Sequence, residues 1–595
     1  MNSGTSDSHF DAIVVGSGFG GSVTAYRLAE AGLRVCVLER GKAYPPGEFP
    51  RAPHRMKNNF WDPSEGLYGM YNIWSFSGLG AVVCSGLGGG SLIYANVMIR
   101  KDERWFVKED LKGGGLEYWP LTRSDLDPHY DEVEKMLGAQ QYPVDHKPYN
   151  ETRKTQEFKA AAERLGLDWK LPKLAVTFAN DGKDPVPGEP INDSPNLHGR
   201  TRQTCRLVGE CDIGCNFGSK NTLDFNYLSE AKLRHGAEIR TLCEVRRFEH
   251  SGREGYAVYY RQHEPDPERE GQKTDTASLP EHRITAERLV LSAGTLGSTF
   301  LMLKNRREFP GLSARLGTRF CGNGDLITFA SKSRKRDSNG EWVPRLIDAG
   351  YGPVITSAIR VADREDGGDG RGFYVEDAGY PEFVNWMLQV FDTPGALRTW
   401  WHTAGWSLLS RWLGQGLGHG FLWRSAGRRL RDKLLNDQPE TDMGAEISDL
   451  FGENETSAGL LPMLGMGRDL PSGKMKLRGG KLDVDWRLEE SGSYFDGVRE
   501  TMKSIADELG GRFSDPLGHL NRVVTVHPLG GCPMGRNETE GVVNEYGAVF
   551  GCPPGLYVVD GSVMPGPVGP NPSLTIAALA DRFADPIIKR KGPEG

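Results

Sequence analysis

Four short apolar runs stand out from a chain that is otherwise mixed in polarity. Each is rich in Val, Ile or Leu, a pattern typical of strands buried on both faces of a parallel sheet. They cover residues 11–15, 34–39, 289–293 and 555–560. Ser22–Ala31, made mostly of small residues, and Ser573–Phe583 are predicted helices. Strands and helices together predict an α/β fold whose strands come from distant parts of the chain.

The turn after the first apolar run is rich in glycine. Gly16, Gly18 and Gly21 have the spacing GxGxxG, and Glu39 ends the next apolar run. Gly16 allows a tight turn, Gly18 lets the backbone approach a pyrophosphate, and Gly21 lets the helix pack close to the strand. A carboxylate at Glu39 can bond a ribose 2′-hydroxyl and would repel a 2′-phosphate, which disfavours NADP. The context predicts a Rossmann-like dinucleotide site, which suits FAD and NAD equally.

Composition restricts the class of protein. A chain of 595 residues suits roughly two to four domain-sized units, and its 38% apolar and 25% charged residues support a buried core. A net charge of −7 argues against nucleic-acid binding, for which a basic stripe is expected. No window approaches the ~18 apolar residues of a membrane-spanning helix. The polar N-terminus has no secretory pattern, so we expect a cytoplasmic protein.

Three further segments contain small residues that allow backbone to lie against a large planar ligand. The glycine run at 88–90 has apolar flanks, which predict a buried loop. The pair Ala293-Gly294 stands where the third apolar run ends, and Asp560-Gly561 stands where the fourth ends. These segments add candidate ligand contacts from three distant parts of the sequence.

With these segments the chain resembles the glucose–methanol–choline (GMC) oxidoreductases, and most of all their cholesterol-oxidase-like branch. The matching motifs include GSGFGG from Gly16, GLGGGSLIYAN from Gly86, HPLGGCPMG from His527 and GLYVVDGSVMPGPVGPNPS from Gly555. The resemblance implies FAD, bound covalently or non-covalently, and an alcohol that is oxidised by hydride transfer to flavin N5. It also implies that Val245 packs near the adenine. The implied cofactor-binding residues are Gly16, Gly18, Gly21, Glu39, Gly88, Gly89, Gly90, Ser91, Asn96, Val245, Ala293, Gly294, Asp560, Gly561 and Pro572.

His527 and Asn571 are the catalytic pair that this resemblance implies. An imidazole suits removal of the hydroxyl proton, and an amide can orient the substrate oxygen but cannot accept the proton. The residues alone do not decide whether His527 acts as a base or as a hydrogen-bond donor. Steroid-oxidising relatives also use a carboxylate, for which Glu376 is the candidate. The alternative for Glu376 is an exposed charge on a strand.

Cys205, Cys211 and Cys215 lie within eleven residues. Three thiols can surround a soft-metal centre, and three ligands suit a [3Fe–4S] cluster better than zinc, which takes four. The spacing is similar to the cluster-binding segment of flavin-dependent glucose dehydrogenases in the same family. A local disulfide and simple buried thiols are the alternatives. A cluster would relay electrons outward, whereas without one oxygen is the natural acceptor.

Residues 376–442 form an insertion that has no counterpart in the family pattern. Within it, residues 383–435 combine six Trp with mostly basic charges. Aromatic rings beside cations suit peripheral contact with a membrane surface or a lid over an apolar tunnel. A buried helical subdomain or a subunit interface explains the same composition.

The predicted fold class is α/β and α+β, with two domains. A Rossmann-like FAD-binding domain comprises residues 1–100, 225–310 and 540–595, and a mixed-sheet substrate-binding domain comprises 101–224 and 311–539. The predicted function is oxidation of an apolar alcohol, such as the secondary hydroxyl of a sterol, with oxygen or another electron acceptor as partner. The alternatives are a sugar or polyol dehydrogenase with an iron–sulfur cluster, and a flavin-containing lipid carrier without alcohol chemistry.

Overall fold

The computed structural model describes residues 8–51, 53–111, 115–266, 272–381, 458–518 and 522–590. The helices of these residues are α1 (Phe19–Glu30), α2 (Arg123–Met136), α3 (Arg153–Arg164), α4 (Tyr227–Leu233), α5 (Gly294–Lys304), α6 (Gly492–Glu508) and α7 (Ser573–Lys589). Helix α1 begins three residues before the predicted start, directly at the glycine turn, and α7 extends six residues beyond its predicted end.

Three sheets surround the candidate site. Their strands are β1 (His9–Val15), β2 (Val35–Leu38), β3 (Tyr71–Phe76), β4 (Leu79–Cys84), β5 (Asp168–Lys170), β6 (Glu238–Arg240), β7 (Cys243–His250), β8 (Tyr256–Gln262), β9 (Glu281–Leu291), β10 (Leu326–Ser331), β11 (Ala358–Val361), β12 (Phe373–Asp377), β13 (Leu461–Gly467), β14 (Arg512–Ser514), β15 (Val523–Thr525) and β16 (Leu556–Val558). Short ladders elsewhere pair Trp61–Asp62 with Leu67–Tyr68, Val97–Met98 and Gln140–Gln141 with Lys173–Leu174, Val107–Glu109 with Leu116–Tyr118, Thr318–Cys321 with Leu529–Gly531, Arg334–Arg336 with Trp342–Pro344, and Lys474–Arg478 with Lys481–Asp485.

The first sheet has the strand order β6-β2-β1-β9-β8-β7, and β16 also pairs with β9. The pairs β2–β1, β1–β9 and β9–β16 are parallel, as the four apolar runs predict. Strand β6, which is not one of those runs, also pairs parallel with β2. Strand β9 is long enough to pair with two different strands along the same edge. Its first half pairs antiparallel with β8, and its second half pairs with β16. Helix α1 packs on α7 and α4, and this sheet and its helices form the largest apolar core.

The second sheet has the order β5-β11-β12-β13-β10-β14, with every pair antiparallel. Helix α6 packs on it and buries Val498, Met502 and Ile505. In the third sheet, β4 pairs antiparallel with β3 and parallel with β15. The predicted fold class is confirmed, and the parallel pairs lie in the first and third sheets rather than in the second.

Candidate active site

Elements from all three sheets line one cavity of about 760 Å³. The ends of β1 and β2 and the start of α1 form one end of it, and β7 flanks that end. The second sheet forms another part of the wall through β10 and β13. Because the cavity extends from the glycine turn to this second sheet, one ligand can bridge the two.

The glycine turn of the nucleotide end has the predicted geometry. Gly16 has a φ of +97°, and a Cβ added at Gly21 would overlap the carbonyl oxygen of Gly16. No side chain caps the N-terminus of α1, and its first turn contains no acidic residue. A helix N-terminus of this kind binds anions. The turn therefore fits a pyrophosphate, as the spacing predicts.

Glu39 lies beside this turn and is buried. Its carboxylate accepts hydrogen bonds from the backbone N–H of Ser17 at 3.0 Å, from the Ser17 hydroxyl at 2.6 Å, and from the N–H of Gly41 at 2.8 Å. These bonds fix the carboxylate at the cavity wall. Unoccupied lone pairs of the same oxygens suit a ribose hydroxyl.

The second glycine loop packs directly on the first. A Cβ added at Gly89 would overlap the backbone of Gly18, so the two loops approach as closely as glycine allows. At Gly18 and Gly90, no atom lies within 4 Å of the position that a Cβ would take. Because both residues line the cavity, this open space is available to a ligand.

Buried polar atoms without partners also face the cavity. Asn96 is fully buried and has a φ of +71°, and neither atom of its side-chain amide makes a hydrogen bond. The Oδ1 atom of Asp212 is likewise buried without a hydrogen bond, and burial raises the pKa of this carboxyl to about 6. Unpaired buried amide and carboxyl atoms are costly unless a ligand satisfies them. Together with the open glycines and the uncapped helix, they fit FAD.

Most of the cofactor residues implied by the sequence reach this cavity. Three of them do not line it but support its wall. Gly21 contacts the turn at Gly16, and the Ser91 hydroxyl donates to the carbonyl of Gly88 at 2.7 Å and accepts the N–H of Leu223. The members that line the cavity are Gly16, Gly18, Glu39, Gly89, Gly90, Asn96, Val245, Ala293, Gly294, Asp560, Gly561 and Pro572.

His527 lies on the loop that follows β15 and lines the cavity. Its Nδ1 atom is 2.8 Å from Oδ1 of Asp325, a fully buried carboxylate. Oδ2 of Asp325 accepts the backbone N–H groups of Val526 and His527 and the hydroxyl of Thr525. Asp325 thus fixes both the ring and the backbone of His527, which leaves Nε2 as the ring nitrogen for a substrate.

Asn571 lies on the loop before α7 and also lines the cavity. Its Nδ2 atom donates to Oε2 of Glu376 at 3.4 Å. Glu376 is fully buried in β12, so the alternative of an exposed strand charge is wrong. Burial raises the pKa of Glu376 to about 8, and the carboxylates of Asp377 and Asp325 add to the rise. Oδ1 of Asn571 and Oε1 of Glu376 make no hydrogen bond.

The three clustered cysteines do not form a metal site in the structure. Among the residues described, no group of three or more His, Cys, Asp or Glu side chains is arranged to hold a metal ion. All nine cysteines are free thiols, so a local disulfide is absent as well. Burial raises the pKa of the Cys205 and Cys211 thiols, and the buried Lys220 beside Cys211 donates to its carbonyl oxygen. The Cys205 side chain is buried, whereas Cys211 and Cys215 are partly exposed.

The predicted insertion is described only at its start. Glu376 and Asp377 complete β12, and residues 378–380 line the cavity. The aromatic-basic segment 383–435, with its predicted membrane contact, lies outside the described residues. No helix among the described residues is long and apolar enough to cross a membrane.

Sequence reasoning missed Asp325 and its neighbour Asn323. Both belong to the segment Cys-Gly-Asn-Gly-Asp at 321–325, between two strands. Asn and Asp between glycines in a short connection mark a turn with polar side chains available for bonding. That signal was present, but nothing in the local sequence tells which distant loops these side chains contact.

Comparison with known proteins identifies relatives of this chain. Two sequence models described as GMC oxidoreductase match residues 196–305 and 503–580, and an NAD(P)-binding Rossmann-like domain model matches residues 14–45. A cholesterol oxidase of Mycobacterium tuberculosis is 30% identical over 97% of this chain and 90% of its own length. A cholesterol oxidase of Acinetobacter baumannii is 26% identical over 96% of this chain and 93% of its own length.

The fold has a match among solved structures. The crystal structure of pyridoxine 4-oxidase from Mesorbium loti superposes with a TM-score of 0.54, at 16% identity, over 96% of this chain and 98% of that one. At that identity the likeness concerns the fold alone. The sequence matches, which cover nearly the full length, establish that the chain belongs to the GMC oxidoreductase family and is an FAD-dependent oxidoreductase of alcohols.

Proposed function

We propose that this enzyme oxidises the secondary hydroxyl of a sterol-like or other large apolar alcohol to the carbonyl. The single observation that carries the proposal is the apolar sheet face beside the catalytic pair. Ile327 and Phe329 alternate with buried core residues along β10 and point to the cavity. Across the ladder they pair directly with Leu464 and Pro462 of β13.

This face continues to the catalytic end. Leu464 pairs on its other side with Glu376 of β12, so one row across the sheet contains Ile327, Leu464 and Glu376. Val354 and Ile355 add further apolar lining. An apolar surface in the same cavity as His527 and Asn571 suits a large hydrocarbon with a single hydroxyl. A sugar needs polar partners along its whole length.

The chemistry requires removal of a hydride and a proton from the same alcohol. FAD, when bound, supplies the hydride acceptor. Nε2 of His527 takes the hydroxyl proton, while Asp325 orients the ring and stabilises the charge that develops on it. The Asn571 amide bonds the substrate oxygen and thereby holds the carbinol C–H in position for transfer. The C–O bond becomes a carbonyl as these two hydrogens leave.

Glu376 fixes the orientation of the amide. Since burial raises the pKa of Glu376 to about 8, its carboxyl is mainly neutral at pH 7. A neutral acid can accept the N–H of Asn571 without placing a negative charge next to an apolar substrate. The names of the relatives agree with this substrate class, because they include cholesterol oxidases and a long-chain-alcohol oxidase.

Anaerobic flavin bleaching tests the proposal. The purified holoenzyme is mixed with cholesterol in detergent, with 1-dodecanol, or with glucose, and the flavin absorbance is followed before air is admitted. We expect the sterol to bleach the flavin fastest and glucose to leave it oxidised. Fast bleaching by glucose together with none by the apolar alcohols would refute the proposal. The rate of recovery in air then tells whether oxygen is an efficient acceptor.

A variant of the apolar face sharpens this test. Phe329→Ala removes an aromatic side chain from the substrate wall, so kcat/KM for the sterol should fall at least about tenfold. Flavin content should not change. Leu477→Ala, at an exposed leucine on the strand Lys474–Arg478, is the control and should leave kcat/KM unchanged.

A further inference from the structure

One short loop contacts both catalytic loops. It comprises residues 322–325, between the strand Thr318–Cys321 and β10. Its last residue, Asp325, binds the His527 side chain and the backbone around it. Its first residue is fixed in turn, because the N–H of Gly322 donates to the buried Asp469 carboxylate at 3.0 Å.

Asn323 makes the corresponding contacts on the other side. Its Oδ1 atom accepts the N–H groups of Val568 at 2.9 Å and Gly569 at 3.0 Å. Its Nδ2 atom donates to the carbonyls of Gly569 at 3.3 Å and Pro570 at 3.1 Å. An amide has four hydrogen-bonding positions, and Asn323 uses all four on three consecutive backbone units. The side chain is fully buried, so water does not compete for these bonds.

Those three residues directly precede Asn571. Prolines at 570 and 572 restrict the backbone on both sides of it. The position of the backbone at 568–570 therefore determines the position of the Asn571 amide. The buried Lys101 holds the earlier part of the same loop through the carbonyls of Pro567 and Val568.

We propose that Asn323 is a positioning residue for Asn571, and that loop 322–325 is a brace that sets the separation between Asn571 and His527. This inference rests on the proposed function, in which both side chains bind the same substrate hydroxyl. The two side chains must then lie close enough to contact the same substrate oxygen. A misplacement of about 1 Å lowers the rate about 100-fold. A single loop that contacts both partners couples their positions to each other.

The variant of choice is Asn323→Gly. Asn323 has a φ of +53°, a region that glycine adopts freely and alanine does not, so glycine removes the amide without straining the loop. Asn323→Asp is the second variant. It retains the acceptor for Val568 and Gly569 but turns an oxygen toward the carbonyls of Gly569 and Pro570.

The experiment measures the anaerobic rate of flavin reduction in holoenzyme, with whichever of cholesterol or 1-dodecanol bleaches the wild-type flavin. We expect Asn323→Gly to lower the limiting rate constant of flavin reduction about 10- to 100-fold, while the substrate concentration at half-maximal rate and the flavin content stay nearly unchanged. Asn323→Asp should lose at least about tenfold, and it serves as the main variant if the glycine protein does not fold. Asn305→Ala is the control. Asn305 is also buried and bonds two backbone groups, those of Phe248 and Leu301, but it does not contact the brace.

A double-mutant cycle separates positioning from general support of the fold. If Asn323 acts through Asn571, the double variant Asn323→Gly/Asn571→Ala should be no slower than Asn571→Ala alone. The inference would be overturned if the rate reduction of the double variant equalled the product of the two single reductions. It would also be overturned if both Asn323 variants reduced flavin at the wild-type rate while Asn571→Ala was slow. A wild-type rate in Asn571→Ala and His527→Ala would instead refute the proposed catalytic pair, and the inference with it.

Discussion

The two ends of the cavity are stabilised by different interactions. At the nucleotide end, glycine loops pack so closely that a single methyl group at Gly21 or Gly89 would overlap backbone. At the reaction end, buried polar side chains from distant loops hold one another through hydrogen bonds, as Asn323 holds 568–570 and Asp325 holds His527. Close backbone packing is the main feature of the first end, and hydrogen bonds between distant segments are the main feature of the second.

This difference separates two kinds of failure. Loss of close packing at the nucleotide end should remove the cofactor or the fold, because a steric overlap cannot be relieved locally. Loss of one bond at the reaction end should leave a folded flavoprotein with poor geometry. Flavin content and turnover number, measured on the same sample, therefore distinguish the two ends.

The largest effect is expected from Gly21→Ala. Within a helix, Gly→Ala ordinarily stabilises by up to about 1 kcal/mol, but here the added Cβ overlaps the carbonyl oxygen of Gly16. We expect little flavin and a strongly lowered Tm, measured by absorbance and thermal unfolding. Gly497→Ala in α6 is the matched control, since its Cβ meets only Phe373 at 3.9 Å, and it should be neutral or stabilising. Equal behaviour of the two variants would contradict a steric origin.

The next effect is that of Asp325→Asn. The amide retains acceptors for the backbone N–H groups, but it cannot stabilise a positive charge on His527. We expect kcat to fall about 100-fold or more with flavin content unchanged. Asp363→Asn is the control. Asp363 is also buried and accepts backbone N–H groups, but these belong to Glu365 and Gly372, and its ionic partner is Arg468 rather than His527. Loss of flavin in Asp325→Asn would contradict the expectation that changes at the reaction end lower turnover without releasing the cofactor.

A smaller effect concerns stability and pH. Burial raises the pKa of Glu376 to about 8 in the folded protein, above its ordinary value of 4.5. Between those two values the folded state binds more protons than the unfolded state, so this group lowers stability as pH rises. Glu376→Gln, which cannot ionise, should gain in Tm relative to wild type from about pH 5 to pH 8. A Tm difference that is constant with pH would contradict the raised pKa.

The smallest effect is expected from Cys215→Ser. The cysteines do not form a metal group among the residues described, so the change should alter flavin content and kcat by less than about twofold. Iron analysis of protein purified without air should give no stoichiometric iron. About three irons per flavin in wild type, lost in the variant, would restore the cluster hypothesis.

The same contrast explains what the sequence could predict. The nucleotide end follows from local motifs, because GxGxxG, the apolar runs and Glu39 specify their own geometry within thirty residues of chain. His527, Asn571 and Glu376 were assigned through family resemblance. Their contacts depend on residues about 200 positions apart, as in the bonds of Asp325 to His527 and of Asn571 to Glu376. No periodicity encodes such pairings, and the domain boundaries stay a prediction.

Strand β9 has a consequence for how the chain acquires its fold during synthesis. It pairs with β1 from the start of the chain and with β16 from near its end. A ribosome-bound chain therefore exposes an unpaired apolar strand edge until residues 556–558 emerge, and contacts of such long range form slowly. Helix α7, which packs on α1, emerges later still. Asp560, Gly561 and Pro572, which line the cavity, also follow β16, so we infer that the FAD site is complete only after these residues have left the ribosome.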